Sequence, residues 1–241
     1  MTQTTSAPPS PPGLLTYAIG DVHGCLDKLT ALLDLCARHA GGAPARFVFV
    51  GDYIDRGPDS RGAIETIRKL QGERPGEVIC LRGNHEALLL DAIKTGDETH
   101  WLRNGGIQTL TSYGVTDAAE LPRDHLAWIE SLRLTFDDGR RFFVHAGVNP
   151  ASPLDRQTDH DLMWIREPFL NDDRNYGRLI VHGHTPLKTG RPDLHRNRLN
   201  LDTAAVYGGP LTAAVFNEEK TWPIAFLNNV QASSEAAGAG T

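Results

Sequence analysis

The sequence predicts an α/β protein in which two β-sheets pack together with helices on the outside. In the first half of the 241-residue chain, short apolar runs alternate with stretches whose apolar residues recur at helical spacing. In the second half, apolar runs of strand length dominate. Continuous apolar strands separated by helices are typical of a sheet that is covered on both faces.

Three strands are predicted in the first half, because three short runs are continuously apolar. They cover residues 15–19, 47–50 and 78–81. A helical pattern follows each strand, at 26–36, 64–67 and 87–93. Asp59 or Ser60 is the expected N-cap of the second helix.

The middle of the chain, 99–131, lacks strand patterns and is predicted to be helical. Its candidate core residues are large and apolar: Trp101, Leu102, Ile107, Leu110, Trp128 and Ile129. Apolar runs at 132–136 and 141–144 flank a turn sequence that contains Gly139, which predicts a β-hairpin. Four later apolar runs are predicted strands, at 179–181, 199–201, 211–216 and 223–227.

The composition excludes several classes of protein. With 40% hydrophobic and 22% charged residues, it is that of an ordinary soluble globular protein. No run of about 18 apolar residues is present to span a membrane, and the net charge of −6 lacks the basic footprint of a nucleic-acid binder. We therefore expect neither a membrane nor a nucleic acid as a partner, and the sequence leaves the oligomeric state open.

The three cysteines do not form a disulfide framework. Cys25 and Cys36 fall eleven residues apart on one predicted helix. At 1.5 Å per residue this separates them by about 16 Å, beyond the roughly 7 Å reach of a disulfide. A reducing, cytoplasmic compartment is therefore expected.

One domain is expected at 14–230, with a loose segment at each end. Residues 1–13 hold four of the 15 prolines and no lysine or arginine, so they do not match a signal peptide. They are predicted to be a disordered lead-in. Residues 231–241 are rich in alanine, glycine and serine and are predicted to be a flexible tail.

Polar residues beside glycine follow five of the predicted strands. These stretches are GDVHG (20–24), GDYIDRG (51–57), GNHE (83–86), HAG (145–147) and HGHT (182–185). In open α/β sheets, ligands bind outside the carboxyl ends of the strands, so these side chains are expected to converge. The glycines permit positive φ and a close approach of the backbone at the turns.

The residue types in these stretches fit divalent metal ions. Imidazole and carboxylate ligands suit manganese, iron or zinc, and the lack of thiolates argues against a purely structural zinc site. Asp21 and His23 are close enough in sequence to reach one ion, and Asp52 can bridge two ions about 3.5–4 Å apart. Arg56 then adds a guanidinium suited to a phosphate. The pattern predicts two-metal chemistry on a phosphoryl substrate.

The motifs, in this order, resemble those of the phosphoprotein phosphatase family of dimetal phosphoesterases. The chain is most similar to small bacterial serine/threonine protein phosphatases and the bacteriophage lambda phosphatase. The similarity runs from about Tyr17 to Phe216 and includes HWLRNGG (100–106) and WIR (164–166). It implies the calcineurin-like metallophosphoesterase fold, a β-sandwich of two mixed sheets flanked by helices.

The resemblance implies a set of ligands for each of two ions, with manganese preferred and iron or zinc as alternatives. The first ion would be held by Asp21, His23 and Asp52. Asp52 would bridge to the second ion, whose other ligands would be Asn84, His145 and His184.

The resemblance also implies how phosphoester hydrolysis would proceed. A metal-bound water would attack phosphorus in line, without a phosphoenzyme. His85 would protonate the leaving oxygen as general acid, oriented by Asp55. The phosphate oxygens would be bound by Arg56, Arg166 and Asn84.

Two departures from related patterns carry consequences. Many broader metallophosphoesterases continue with Gly-His-x-His, whose last histidine also binds metal, whereas Pro186 stands at that position here. The first ion would then have only three protein ligands, and we expect it to be lost readily and to be restored by added Mn²⁺. The Asp-Thr-Gly common in relatives is Asp202-Thr203-Ala204 here.

Some polar residues have open assignments. His182 is interpreted either as a residue behind the metal ligands or as a surface histidine. Arg82 and Arg103 are not assigned. The other histidines, at 39, 100, 125, 160 and 195, are expected to be structural or exposed.

Three functions compete for this set of motifs. The leading hypothesis is a serine/threonine phosphoprotein phosphatase, with phosphotyrosine as a further substrate class and a phosphorylated protein or small phosphoester as partner. The alternative is a symmetrical bis(5'-nucleosyl)-tetraphosphatase, which typically has Ala at the position of Asp55 and Asp at that of Glu86. A catalytically dead, metal-stabilised binding module is disfavoured because no expected catalytic residue is missing.

Overall fold

Two five-stranded sheets form the centre of the structure, a computed structural model that describes residues 13–231. The strands of this part of the chain are β1 (Leu15–Ile19), β2 (Ala45–Phe49), β3 (Val78–Cys80), β4 (Thr135–Asp137), β5 (Arg141–Val144), β6 (Leu179–His182), β7 (Asp193–Leu194), β8 (Arg198–Asn200), β9 (Thr212–Phe216) and β10 (Ala225–Asn228). Its α-helices are α1 (Leu26–Ala40), α2 (Ser60–Glu73), α3 (Asn84–Thr95), α4 (Thr99–Trp101), α5 (Ile107–Tyr113), α6 (Arg123–Ser131) and α7 (Asp159–Trp164).

Both sheets are mixed. The first has the order β10-β9-β1-β2-β3, with β1, β2 and β3 parallel and β9 and β10 antiparallel to their neighbours. The second has the order β4-β5-β6-β8-β7, in which β5, β6 and β8 are parallel and each edge strand is antiparallel. The parallel strands at the centre of each sheet therefore end at a common edge.

Alternate residues of the first sheet face two different apolar layers. On β1 and β2, Tyr17 and Phe47 belong to the layer beneath the helices, which includes Leu29 of α1 and Ile64 of α2. Their neighbours Ala18 and Val48 face the second sheet and pack in a cluster with Phe143, Val181, Leu199, Ala214 and Phe216. This period-two pattern confirms the predicted sandwich with helices outside.

The outer face of the second sheet is covered by irregular segments and α7. Phe142, Val144 and Ile180 point outward from β5 and β6. They pack against Leu162 of α7 and against Phe169 of the following loop. The second sheet is thus also buried on both faces, as its continuous apolar strands require.

Several predicted boundaries move in the structure. The third helix begins at Asn84 rather than at residue 87, because Glu86 accepts the Gly83 backbone N–H and closes the first turn. The first strand of the hairpin covers Thr135–Asp137 instead of 132–136, since Arg133 forms a bridge to Leu81 of the other sheet. Strand β7 has only two residues and leaves no periodic signal.

The predicted lead-in at 1–13 and tail at 231–241 lie outside the described residues except for Gly13 and Gln231. The three cysteines are buried and unpaired. Among the helices of residues 13–231, none is both long and apolar enough to cross a membrane.

Candidate active site

The polar stretches after five strands meet at one edge of the sandwich. His23 donates its backbone N–H to the Asp52 carbonyl at 2.8 Å, which joins the loops after β1 and β2. Gly183 donates in the same way to the His145 carbonyl at 2.8 Å, joining the loops after β5 and β6. The two sheets are linked because the His184 N–H lies 3.0 Å from Asp21 Oδ2. The convergence expected from the strand ends is therefore present.

Backbone strain is concentrated in this edge. In the described part of the chain, six residues other than glycine have positive φ, and five of them are predicted site residues: His23, Asp52, Asp55, Arg56 and His184. Such conformations cost about 1–3 kcal/mol each and persist only where the surroundings fix them. Here the loop-to-loop hydrogen bonds do so.

Asp52 is the centre of two groups of potential metal ligands. The first contains His23, Asp52 and His85, and the second contains Asp52, His145 and His184. In each group, one ligand atom from every residue lies within 4.8 Å of the others, and all of the side chains are buried. A carboxylate shared by two clusters fits a site for two ions.

Distances around the second cluster are short. His145 Nε2 lies 2.9 Å from Asn84 Oδ1 and 3.4 Å from Asp52 Oδ1. His184 Nδ1 lies 2.8 Å from the same Asn84 oxygen. The four residues assigned to the second ion by the resemblance thus surround one small volume.

The hydrogen bonds of His145 show that this volume suits a cation. Its Nδ1 lies 3.0 Å from the Val50 carbonyl, an acceptor, so Nδ1 carries the proton. Burial lowers the pKa of His145, which keeps the ring neutral and leaves a lone pair on Nε2. That lone pair faces the oxygens of Asn84 and Asp52, which are themselves acceptors. A divalent ion between them would satisfy all three groups.

His23 presents the same chemistry at the first cluster. Its Nδ1 is 2.8 Å from the Ile54 carbonyl, and burial lowers its pKa to about 3. The Nε2 lone pair, 3.4 Å from Asp52 Oδ2, therefore faces the site. Burial, followed by the neighbouring charges of Asp202 and Asp52, raises the pKa of Asp21. Neutral imidazoles beside crowded buried carboxylates fit divalent ions.

Asp21 differs in position from the expectation. Among the described residues, the compact first group contains His85 where the resemblance implies Asp21. The Asp21 carboxylate instead lies against the loop after β6, where a Cβ on Gly183 would come within 1.9 Å of its Oδ1. Gly183 is therefore required for Asp21 to approach the site.

His85 and Asp55 form a buried pair next to Asp52. His85 Nδ1 lies 2.7 Å from Asp55 Oδ2, and its Nε2 lies 4.0 Å from Asp52 Oδ2. Burial opposes protonation of His85, but the carboxylates of Asp52 and Asp55 outweigh it and raise the pKa. The pair can therefore hold a proton beside Asp52.

Trp101 and Thr109 complete the surroundings of Asp55 and were not predicted as site residues. Trp101 Nε1 donates to Asp55 Oδ1 at 3.0 Å, and Thr109 Oγ1 donates to the same oxygen at 2.7 Å. The sequence identified Trp101 only as a core candidate and as part of HWLRNGG. No sequence pattern marked Thr109 as a site residue.

Glu86 is a third residue whose part in the site the sequence did not reveal. Its buried carboxylate accepts the backbone N–H groups of Asp52 at 2.9 Å, Tyr53 at 2.8 Å and Gly83 at 2.9 Å. Burial raises its pKa to about 7. Glu86 thereby holds the loop that carries Asp52 against the start of α3.

The two predicted phosphate-binding arginines lie at the rim. Arg56 Nη1 is 2.9 Å from His23 Nε2, and its backbone N–H donates to the Gly105 carbonyl at 3.1 Å. Arg166 is exposed, and its Nη2 lies 3.4 Å from the His184 carbonyl. Both side chains can therefore approach an anion bound next to the ligand clusters.

His182 lies behind the site rather than at the surface. Its ring is fully buried, with a centroid 5.1 Å from that of Phe169, and its Nδ1 lies 3.0 Å from the Gly183 carbonyl. Of the interpretations left open for His182, the surface position is wrong.

The two arginines without an assignment lie in different surroundings. Arg82 donates to the Glu130 carbonyl, and Arg103 is exposed.

The fold and site define a metallophosphoesterase, and the chain belongs to the calcineurin-like phosphoesterase family, whose profile matches residues 14–216. It is a hydrolase that acts on phosphoesters. The predicted resemblance is therefore confirmed.

Two curated relatives and one solved structure illustrate the range of the family. The chain is 34% identical to serine/threonine-protein phosphatase 1 of Salmonella typhimurium over 82% of this chain and 90% of the relative. It is 38% identical to the symmetrical bis(5'-nucleosyl)-tetraphosphatase of Pseudomonas fluorescens over 73% of this chain and 58% of that relative. The cold-active protein-tyrosine phosphatase of a psychrophilic Shewanella shares the fold, with a TM-score of 0.59 at 18% identity and coverage of 84% of this chain and 77% of that one.

Proposed function

We propose that this chain is a phosphoprotein phosphatase that hydrolyses phosphoserine and phosphothreonine, and accepts phosphotyrosine, with two divalent ions. Manganese is the preferred ion. The proposed ligands are Asp21, His23 and Asp52 for the first ion, and Asp52, Asn84, His145 and His184 for the second. The cytoplasmic location remains a prediction.

The observation that carries this proposal is the Asp55–His85 pair. The alternative tetraphosphatase pattern has Ala where this chain has Asp55 and therefore could not form it. Here the Asp55 carboxylate is fully buried and accepts hydrogen bonds from both Trp101 and Thr109. A buried carboxylate with a complete set of partners supports a fixed role in orienting His85.

Different residues of this chain donate the proton and bind the phosphate. His85, held at Nδ1 by Asp55, protonates the leaving oxygen from its other ring nitrogen. Arg56 and Arg166 bind the phosphate oxygens, with Asn84 nearby, and oppose the charge that builds up in the transition state. When bound, the ions supply a nucleophile of lowered pKa and polarise the phosphoryl group.

The alternative is a symmetrical bis(5'-nucleosyl)-tetraphosphatase. It is supported by the 38% identity to the Pseudomonas fluorescens enzyme. However, this chain spans 58% of that relative, whereas it spans 90% of the Salmonella protein phosphatase. The larger share of the protein phosphatase that this chain covers favours that function. Asp55 and Glu86 favour it as well.

Substrate preference tests the proposal. The Mn²⁺-loaded protein is assayed on a phosphoserine peptide, a phosphotyrosine peptide and diadenosine tetraphosphate, with His85→Asn as the control for contaminating phosphatases. We expect the highest kcat/KM on a phosphopeptide and greatly reduced turnover by the variant. A higher kcat/KM on the dinucleotide would establish the alternative instead.

A further inference from the structure

The turn at 205–209 lies beside the proposed phosphate-binding residue Arg56 and is tied to a distant helix. We propose that Tyr207, on this turn, and Lys28, on α1, are positioning residues that hold the Arg56 guanidinium in place for the phosphate. This inference rests on the proposed function, because it assumes that Arg56 binds the phosphate of the substrate.

Lys28 joins two parts of the chain that are far apart in sequence. Its Nζ donates to the Ala205 carbonyl at 2.6 Å and to the Gly209 carbonyl at 2.7 Å. These two acceptors are the ends of the turn that carries Tyr207. Because one ammonium group binds both ends, the turn cannot open without losing two charge-assisted hydrogen bonds.

The turn is also closed from within. The Gly209 N–H donates to the Ala204 carbonyl at 3.0 Å, and Thr203 Oγ1 donates to the Pro210 carbonyl at 2.7 Å. A Cβ on Gly209 would come within 2.0 Å of the Thr203 carbonyl oxygen. The backbone of the turn that carries Tyr207 is therefore restrained.

Tyr207 is 62% exposed, so it contributes little to the core. Its ring centroid lies 5.8 Å from Arg56 Cζ, within the range of a cation–π contact. The Arg56 backbone N–H donates to the Gly105 carbonyl, and Nη1 lies 2.9 Å from Nε2 of the proposed metal ligand His23. Tyr207 is thus a neighbour of the guanidinium that is not itself a proposed metal ligand.

A restrained arginine binds an anion better than a free one. A long side chain loses rotamer freedom when it binds, and contacts that restrict it beforehand reduce that loss. The effect falls on phosphate affinity rather than on proton transfer, because neither Lys28 nor Tyr207 touches His85. Removing either residue should therefore change KM and inhibition by phosphate more than kcat.

The test compares Tyr207→Ala, Tyr207→Phe and Lys28→Met with the parent protein, all loaded with Mn²⁺. The readouts are KM for a phosphoserine peptide, Ki for inorganic phosphate, and phosphate binding by calorimetry. We expect Tyr207→Ala and Lys28→Met to raise KM, Ki and Kd by about 2- to 5-fold, in line with a cation–π contact at an exposed site. Tyr207→Phe retains the ring and should recover most of the affinity.

Matched controls use exposed residues elsewhere. Trp222 is 44% exposed, and the Lys69 side chain is 76% exposed beside Glu73. Trp222→Ala and Lys69→Met should leave KM, Ki and Kd within error of the parent. Equal losses in these controls and in the test variants would overturn the inference.

A double-mutant cycle with Arg56→Ala separates this inference from the proposed function. If Arg56→Ala leaves KM and Ki unchanged, the phosphate-binding role of Arg56 is wrong. If Arg56→Ala raises both, we expect Tyr207→Ala and Lys28→Met to add nothing in that background. Two results would overturn the inference while the role of Arg56 stands. One is that Tyr207→Ala and Lys28→Met raise KM and Ki as much in the Arg56→Ala background as in the parent protein. The other is that neither variant changes KM or Ki in the parent protein.

Discussion

His85 Nδ1 lies 2.7 Å from Asp55 Oδ2, and both side chains are buried next to Asp52. The short contact fixes the ring and directs Nε2 toward the shared carboxylate, 4.0 Å away. Asp55 is itself held by Trp101 and Thr109. The proposed proton donor therefore belongs to a fixed chain of hydrogen bonds rather than to a mobile loop.

Replacing His85 tests that role. We expect His85→Asn to lower kcat by about 10²- to 10⁴-fold, the usual worth of a general acid, with little change in the amount of bound metal. Kinetics with a phosphoserine peptide and metal analysis of the same samples measure both. His100→Asn, at an exposed histidine, is the control. Wild-type kcat in His85→Asn would show that His85 is not the acid.

Glu86 should matter for stability and for metal binding together. Its carboxylate accepts three backbone N–H groups that shape the loop bearing Asp52. A glutamine has one acceptor oxygen and places an NH₂ against those donors. We expect Glu86→Gln to lower the free energy of unfolding by about 1–3 kcal/mol, the cost of a buried donor left without an acceptor, and to weaken Mn²⁺ binding.

Urea unfolding and Mn²⁺ titration measure the two effects of Glu86→Gln. Glu65→Gln serves as the control, because Glu65 forms an exposed pair with Arg61. If Glu86→Gln unfolds at the same urea concentration as the control, the carboxylate does not organise the loop.

Ala204 has a φ of 61°, and the family resemblance implies a glycine at this position. A left-handed conformation costs an alanine about 1–2 kcal/mol, while glycine loses about 0.5–1 kcal/mol in chain entropy. We expect Ala204→Gly to raise the free energy of unfolding by up to about 1.5 kcal/mol, the largest difference between these two costs.

The neighbouring Ala205→Gly is the matched comparison, because Ala205 is not among the residues with positive φ. It should lower the free energy of unfolding in the same urea experiment. If both variants have a lower free energy of unfolding than the parent protein, the left-handed conformation of Ala204 does not destabilise the fold.

The strands and the convergence of the ligands could be predicted because both depend on local pattern. Continuous apolar runs marked β1, β2 and β3, and parallel strands end at one edge. Glu86 left a local signal as well, since a glutamate three residues after Gly83 is a capping arrangement. The same glutamate also distinguishes the protein phosphatase pattern from the tetraphosphatase pattern.

Other parts of the site depend on contacts that no local pattern contains. Trp101 and Thr109 reach Asp55 across 46 and 54 residues. Lys28 binds carbonyl groups 177 and 181 residues away. The sequence pattern around a tryptophan in a helix or a lysine on a helix surface is the same whether or not the residue makes such a contact. Only the tertiary packing of helices and loops brings these residues together.

Two ions sharing Asp52 are the central claim, and metal analysis after reconstitution with Mn²⁺ tests it most directly. We predict two ions per chain in the parent protein, about one in Asn84→Ala, and loss of both on Asp52→Asn. Brief dialysis against a chelator should release the first ion and the activity, and added Mn²⁺ should restore both. Fewer than two ions in the parent, two retained in Asp52→Asn, or full activity after chelation would contradict the account.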